Sequence, residues 1–347
     1  MSGEKRNSTR QTKRIGVREV ARLAEVAPIT VSRALSFPSA VAPATRERIM
    51  AAVSSLGYIP NRVAGSLSSN QTRLIGAIIP TFQSSVATEF TGGMATVLRS
   101  RGYQLLLGGS NFSVDEEESL IVEFLARRAD GIYLTGTTHT DRARHMLKES
   151  RVPVVEIASL DGEPIDMVVG FSNVEASFAM MRHLAGCGYR KIAFFSLPTR
   201  DNERQRGRIA GFRRGVETFG LDPDPALMAE VPMDLANAAR SLGELLERRP
   251  DAEALFCGGD LVAVGALFEC QRRGLRVPED FGIAGFDDID LAAYVQPGLT
   301  TVRLPHPQIG ARAAELLLDR IAGKPVEGSV VDMGFEIVVR GSTRKVR

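Results

Sequence analysis

Apolar positions keep two different rhythms along this chain. In the first sixty residues they recur at helical intervals. Val17, Val20, Ala21 and Ala24 form one stripe, which predicts a short helix. Three residues, Glu25–Val26–Ala27, separate it from a second helix opened by Pro28, whose fixed φ suits the first helical position. There Val31, Ala34 and Leu35 face inward, and Pro28, Ile29, Ser32 and Arg33 face outward. A third helix is predicted from Pro43 to Leu56, with Gly57 as its stop.

From Leu74 onward the rhythm changes to short apolar runs alternating with amphipathic stretches. Strands are predicted at 74–80, 103–108, 131–135, 152–158, 167–171, 191–197, 254–258, 281–286, 301–304 and 336–340. Helices are predicted at 86–99, 115–127, 174–187, 204–219, 236–248, 261–273 and 308–322. Near-continuous apolar strands joined by helices call for parallel sheets covered on both faces. Ten strands are many for one open sheet, so two lobes are expected. In such sheets ligands sit beyond the carboxyl ends of the strands.

Two short helices joined by so tight a turn form a helix-turn-helix, whose second helix enters the major groove of DNA. Ile29 and Arg33 project from that helix. Arginine can pair bidentately with guanine O6 and N7, and isoleucine can lie against a thymine methyl. Thr30, Ser32 and Arg18 suit phosphate contacts that hold the register. Charge agrees. The 347 residues carry a net +2, but residues 1–70 alone carry +7 and the rest −5. A basic head on a mildly acidic body is what attraction to phosphates requires. Residues 1–14 read as a disordered basic arm.

Other classes are disfavoured. Cys187, Cys257 and Cys270 show neither metal-ligand nor disulfide-framework spacing, which suits a reducing cytosol. The polar start leads into no apolar run of a secretory signal, and no stretch reaches the roughly 18 apolar residues of a membrane helix. There is no Gly-x-Ser-x-Gly elbow, phosphate-binding loop, zinc signature or dinucleotide fingerprint, so neither an enzyme, a cofactor nor a metal is expected.

The order Val20–Ala21–Arg22–Leu23–Ala24, Thr30–Val31–Ser32–Arg33–Ala34–Leu35, Thr45–Arg46–Glu47–Arg48–Ile49 and Leu56–Gly57–Tyr58–Ile59–Pro60–Asn61 resembles the lactose-repressor (LacI) family of bacterial regulators. The hinge positions Ala64, Ser66 and Leu67 continue it, and Arg208–Ile209–Ala210–Gly211–Phe212, Asp260–Leu261–Val262–Ala263 and Gly285–Phe286–Asp287–Asp288 carry it into the body. A finer likeness is to the gluconate-utilisation repressor (GntR-like) branch. It rests on Leu134–Thr135–Gly136–Thr137–Thr138–His139–Thr140, on Ile165 to Ala176 and on Leu267 to Pro278.

The resemblance implies an α/β protein, with a two-lobed periplasmic-binding-protein type I effector domain preceded by a small all-α helix-turn-helix domain and a hinge helix. The implied boundaries are 15–60 for the DNA-binding domain, 61–73 for the hinge and 74–340 for the effector domain. The first lobe takes 74–172 and 304–333, the second 173–303 and 334–340. Leu67 stands where the family wedges a leucine into a minor-groove step, and Asn61 and Pro28 join the DNA-contacting set. A hinge disordered when free would become helical as two copies meet over DNA. By family position Arg208 and Asp287 are the first effector contacts, since a guanidinium forks onto carboxylate oxygens and a carboxylate accepts from sugar hydroxyls. Thr135, Thr137, His139 and Glu156, at or just beyond strand ends, form a second rank, whereas Asp260 is expected to cap the helix that follows it.

Some positions depart from the family pattern: Ala27 and Ala42 at capping positions, Glu25 for a turn glycine, Gly65 for a hinge arginine and Gly259 for an asparagine. The expected whole is a cytoplasmic, homodimeric repressor on a palindromic operator in double-stranded DNA, away from any membrane. A sugar or sugar-acid effector would release it. A solute-binding protein of the same fold is the rival, and it would have no use for residues 17–70.

Overall fold

The computed structural model describes residues 15–36, 38–59, 71–326 and 328–346. The expectations for Asn61, Leu67, the basic arm and most of the hinge fall outside these residues. The chain divides into two compact units, Met1–Thr72 and Arg73–Arg347.

In the first unit α1 (Val17–Leu23), α2 (Pro28–Ser36) and α3 (Pro43–Leu56) close around Val20, Ala21, Ala24, Val31, Ala34, Ile49 and Ala52. The Glu19 carboxylate accepts from the Gly16 N–H at 3.0 Å and so satisfies one amide at the start of α1. Neither Gly16 nor Ala42 offers a side-chain cap. Glu25 adopts φ 52 in the turn between α1 and α2, a left-handed conformation that a residue with a Cβ adopts at some cost. Gly57, at φ 61, ends α3.

The second unit is built on two six-stranded sheets. The first holds β1 (Leu74–Ile79), β2 (Gln104–Gly109), β3 (Gly131–Thr135), β4 (Val154–Ile157), β5 (Met167–Gly170) and β11 (Val330–Asp332), in the order β11-β5-β4-β3-β1-β2 and all parallel. The second holds β6 (Ile192–Ser196), β7 (Met228–Glu230), β8 (Ala254–Cys257), β9 (Gly282–Asp287), β10 (Thr300–Arg303) and β12 (Glu336–Val338), in the order β12-β10-β9-β8-β6-β7. Only β12, against β10, runs antiparallel among these pairings. The chain passes between the sheets three times, within 171–191, 304–329 and 333–335.

The helices are α4 (Ser85–Ser100), α5 (Val114–Ala126), α6 (Asp141–Ser150), α7 (Asn173–Gly186), α8 (Glu203–Thr218), α9 (Leu235–Arg248), α10 (Asp260–Arg272), α11 (Asp290–Tyr294) and α12 (His306–Ile321). Four elements were not signalled by hydrophobic spacing. The strands β7 and β11 are three residues long at or beside a sheet edge and never fully buried, so they need no apolar run. The helix α6 buries only Ala143 and Leu147, too few positions for a clear stripe, and α11 is a single five-residue turn. Packing continues past residue 340. Ser342 and Thr343 are buried, and Ser342 Oγ donates to the Ile283 carbonyl at 2.6 Å.

Candidate functional sites: an exposed recognition helix and a cleft between the sheets

On the first unit, α2 buries Val31 and Ala34 and turns its other side outward. Ile29 is 61% exposed. Pro28, Ser32 and Arg33 are exposed with it, as is Arg18 on α1, and Thr30 is half-buried. The outward residues of α2 thus combine two apolar groups, Pro28 and Ile29, with hydroxyls and a guanidinium.

In the second unit the carboxyl ends of strands from both sheets meet at a cleft that is open to solvent at its mouth. Ile79 and Thr135 end β1 and β3 on one side, and Asp287 ends β9 on the other, as doubly wound sheets dictate. Phe90, Phe112 and Phe171 supply apolar wall.

Arg208, on α8, is buried to 5% exposure. Its Nε donates to Asn173 Oδ1 at 3.0 Å and its Nη1 to the Gly258 carbonyl at 2.5 Å. The guanidinium lies 3.6 Å from the centre of the Phe286 ring, and its Nη2 is 3.7 Å from Asp287 Oδ1. Burial pulls the Arg208 pKa down to about 10 despite the nearby Asp287. Burial likewise raises that of Asp287, against the pull of Arg208. Asp287 itself has φ 112 and Asp288 φ 56, backbone conformations that side chains disfavour. Asp288 is anchored by Arg303 at 2.6 Å and Arg340 at 2.7 Å, which holds the strained end of β9 in place.

The start of α8 also clasps the loop that follows β3. Arg204 Nη1 donates to the Thr135 carbonyl at 3.0 Å, and Glu203 Oε1 accepts from the Thr137 N–H at 3.0 Å. Arg206 Nη2 donates to Thr138 Oγ1 at 3.1 Å. Between these contacts Gly136 has φ +93, and a Cβ there would come within 2.2 Å of Arg204 Nη1. Glycine suits that turn, where a Cβ would strain the backbone and push the ends of Arg204 and Glu203 aside.

Of the predicted effector contacts, the structure brings Arg208, Asp287 and Thr135 to the cleft wall. It does not bring the other three. Thr137 is buried, with its amide on Glu203 and its carbonyl accepting from Arg144 at 2.6 Å. His139 contacts Glu117 Oε1 through Nδ1 at 2.5 Å and Glu156 Oε1 through Nε2 at 3.0 Å, and Glu156 Oε2 accepts from the Ile165 N–H at 2.6 Å. The imidazole and the Glu156 carboxylate are fully enclosed. Burial opposes charge on His139, yet hydrogen bonds to Glu117 and Glu156 outweigh it and raise the pKa to about 9. These expectations for His139, Glu156 and Thr137 are therefore corrected. The cause lies in the alternation of β4, where Val155 and Ile157 face the main core and Val154 faces the opposite one. Glu156 shares the side of Val154. Asp260 is corrected too. Gly259 takes the cap position, while the Asp260 carboxylate accepts from Thr301 Oγ1 at 2.6 Å and the Ile289 N–H at 2.9 Å.

Arg204, Gln205, Asn202 and His306 line the cleft without having been singled out. The available signal was position: His306 follows the end of β10, where the strand-end rule places ligand contacts. Among the described residues no His, Cys, Asp and Glu cluster could hold a metal, and no helix is long and apolar enough to cross a membrane.

A family model described as bacterial regulatory proteins, lacI family, matches residues 17–61, and one described as periplasmic binding protein-like domain matches residues 181–343. Over 337 residues the chain is 37% identical to the HTH-type transcriptional regulator GntR of Pseudomonas aeruginosa, covering 97% of this chain and 98% of that one. The chain belongs to the LacI family. A LacI-family transcriptional regulator from Silicibacter pomeroyi superposes with a TM-score of 0.88 at 30% identity, covering 95% of this chain and all of that one. The transcription regulator GntR from Chromobacterium violaceum superposes with a TM-score of 0.74 at 35% identity, over 78% of this chain and 99% of that one. LacI-family regulators bind DNA operators and small-molecule effectors, usually as dimers, and are not enzymes. This LacI-family chain is a DNA-binding transcriptional repressor.

Proposed function

We propose that this repressor governs sugar-acid catabolism of the gluconate type, and that a sugar acid in the cleft releases it from its operator. The observation that carries this reading is the Arg208 guanidinium at the cleft wall, whose Nη2 comes no nearer to Asp287 than 3.7 Å, whereas Arg204 beside it is already paired with Glu203 at 3.4 Å. A carboxylate on the ligand pairs with Arg208, and the ligand hydroxyls meet Asp287 and the hydroxyl and amide groups around it. Arg208 is the primary anchor, because its guanidinium is already held over Phe286, with Nε and Nη1 on Asn173 and Gly258 and Nη2 left for a ligand.

On DNA, Ile29 and Arg33 read base edges in the major groove, while Arg18, Thr30 and Ser32 hold phosphates. Two copies on one palindrome, with Asn61 and Leu67 as further contacts, complete the cytoplasmic assembly. Effector and operator are linked only if the effector prefers one of two arrangements of the protein.

A thermal-shift series on the full chain with gluconate, ketogluconates and neutral sugars tests the ligand class, followed by operator release on a palindrome selected from random DNA. The expected result is a raised Tm and loss of retention with a sugar acid alone. Stabilisation by neutral sugars at equal concentration, or none by any of these compounds, overturns the reading.

A further inference from the structure

Among the described residues several buried side-chain polar atoms have no hydrogen-bond partner, and one belongs to a residue that lines the cleft: Nε2 of His306. The residue is only 2% exposed. Its other nitrogen is committed, with Nδ1 3.1 Å from Glu89 Oε2. A carboxylate at that position can only accept, so Nδ1 carries a proton, and in that tautomer Nε2 is the acceptor of the ring. The ring is held edge-on to Phe90, with centroids 4.7 Å apart. An oriented acceptor, shut away from bulk water and facing a ligand cleft, is costly unless a ligand or a water donates to it.

Next to this atom stands Asp287 Oδ1, 3.9 Å away. That separation is too long for a hydrogen bond between the two. Asp287 Oδ1 is also 3.7 Å from Arg208, so the guanidinium stands near it without occupying it closely. The charged groups around the ring are therefore Glu89 on α4 and Asp287 on β9, with Arg208 on α8 behind the latter. Two acceptors side by side, each lacking a close donor, match two donors side by side on a ligand.

We propose that His306 is a specificity-determining residue of the cleft, accepting through Nε2 from one hydroxyl of a vicinal diol whose neighbouring hydroxyl donates to Asp287. Glu89 is the positioning residue that sets the tautomer. This deepens the sugar-acid reading and rests on it. The ligand class becomes a polyhydroxy acid whose diol, and not only its carboxylate, is read.

The test is calorimetric titration of the full chain with D-gluconate and with its monodeoxy analogues. His306→Phe keeps a ring against Phe90 and removes the acceptor, whereas His306→Gln puts an amide oxygen back near Nε2. His306→Phe is expected to weaken gluconate binding roughly tenfold, the scale of one lost hydrogen bond to a buried group, and His306→Gln to recover part of it. One deoxy analogue is expected to lose a similar factor on the wild type and to bind wild type and His306→Phe alike. Gluconate binding unchanged in His306→Phe overturns the proposal, as does a variant that discriminates among the analogues as the wild type does. Should His306→Phe not fold, a wild type that binds every monodeoxy analogue as tightly as gluconate overturns it. If neither gluconate nor any other aldonate binds the wild type, the sugar-acid reading falls and takes this proposal with it. Binding retained with His306 irrelevant removes this proposal alone.

Discussion

The guanidinium of Arg208 lies over the Phe286 ring, 3.6 Å from its centre. Ring and strand end are consecutive in sequence, so the aromatic support of the cation and the carboxylate beside it, Asp287, are delivered by one turn of backbone. Arg208 is also tied to Asn173 and to the Gly258 carbonyl, which makes it a structural joint as well as a binding group.

Removing that joint has two readable effects. Arg208→Ala should abolish the Tm increase produced by the sugar acid. It should also cost about 1–3 kcal/mol of stability, because the buried Asn173 amide oxygen loses its donor, while the Gly258 carbonyl keeps Gln205 Nε2 at 2.9 Å. Chemical denaturation with and without ligand checks both. An undiminished ligand-induced shift would remove Arg208 from the binding set.

The His139 network makes stability depend on pH in a defined direction. Its folded pKa of about 9 lies above the ordinary histidine value near 6.5. The stabilisation is therefore fully present below about pH 6.5 and is lost as pH rises through about 9, amounting to about 3 kcal/mol. His139→Gln should flatten this part of the curve relative to wild type, measured by denaturation between pH 6 and 10. Parallel curves would disprove the assignment.

Gly136 combines a positive φ with close approach of Arg204 and Glu203. Gly136→Ala should destabilise the protein by about 1–3 kcal/mol, through backbone strain and the loosened clasp. Scanning calorimetry reads the change, and an unaltered Tm would show that the loop accommodates a Cβ.

At the DNA-facing helix, base readers and phosphate clamps should separate by their signatures. Arg33→Ala should cost about 1–3 kcal/mol at one base position and relax discrimination there. Arg18→Ala should weaken operator and random DNA alike and reduce the salt slope by about 1. Binding titrations at several salt concentrations distinguish the two. Equal behaviour of both variants would mean that Arg33 reads no base.

What could be read from the sequence was whatever a local period encodes. Val20, Ala21, Val31 and Ala34 sit at helical spacing, so the core of the first unit and the outward placement of Ile29 and Arg33 follow from the chain itself. The apolar runs of β1, β3, β6 and β8 are buried on both faces and likewise announce parallel sheets. Tertiary structure decided which face meets which neighbour. Glu156 and Ile157 are adjacent in sequence, yet one is sealed against His139 and the other joins the main core, because successive side chains of a strand point to opposite sides. The strand-end position of His306 was legible, but its place beside Asp287 came only from the pairing of β10 alongside β9. A period along the chain records that a residue is covered; what covers it depends on contacts between segments hundreds of residues apart, such as Glu89 with His306.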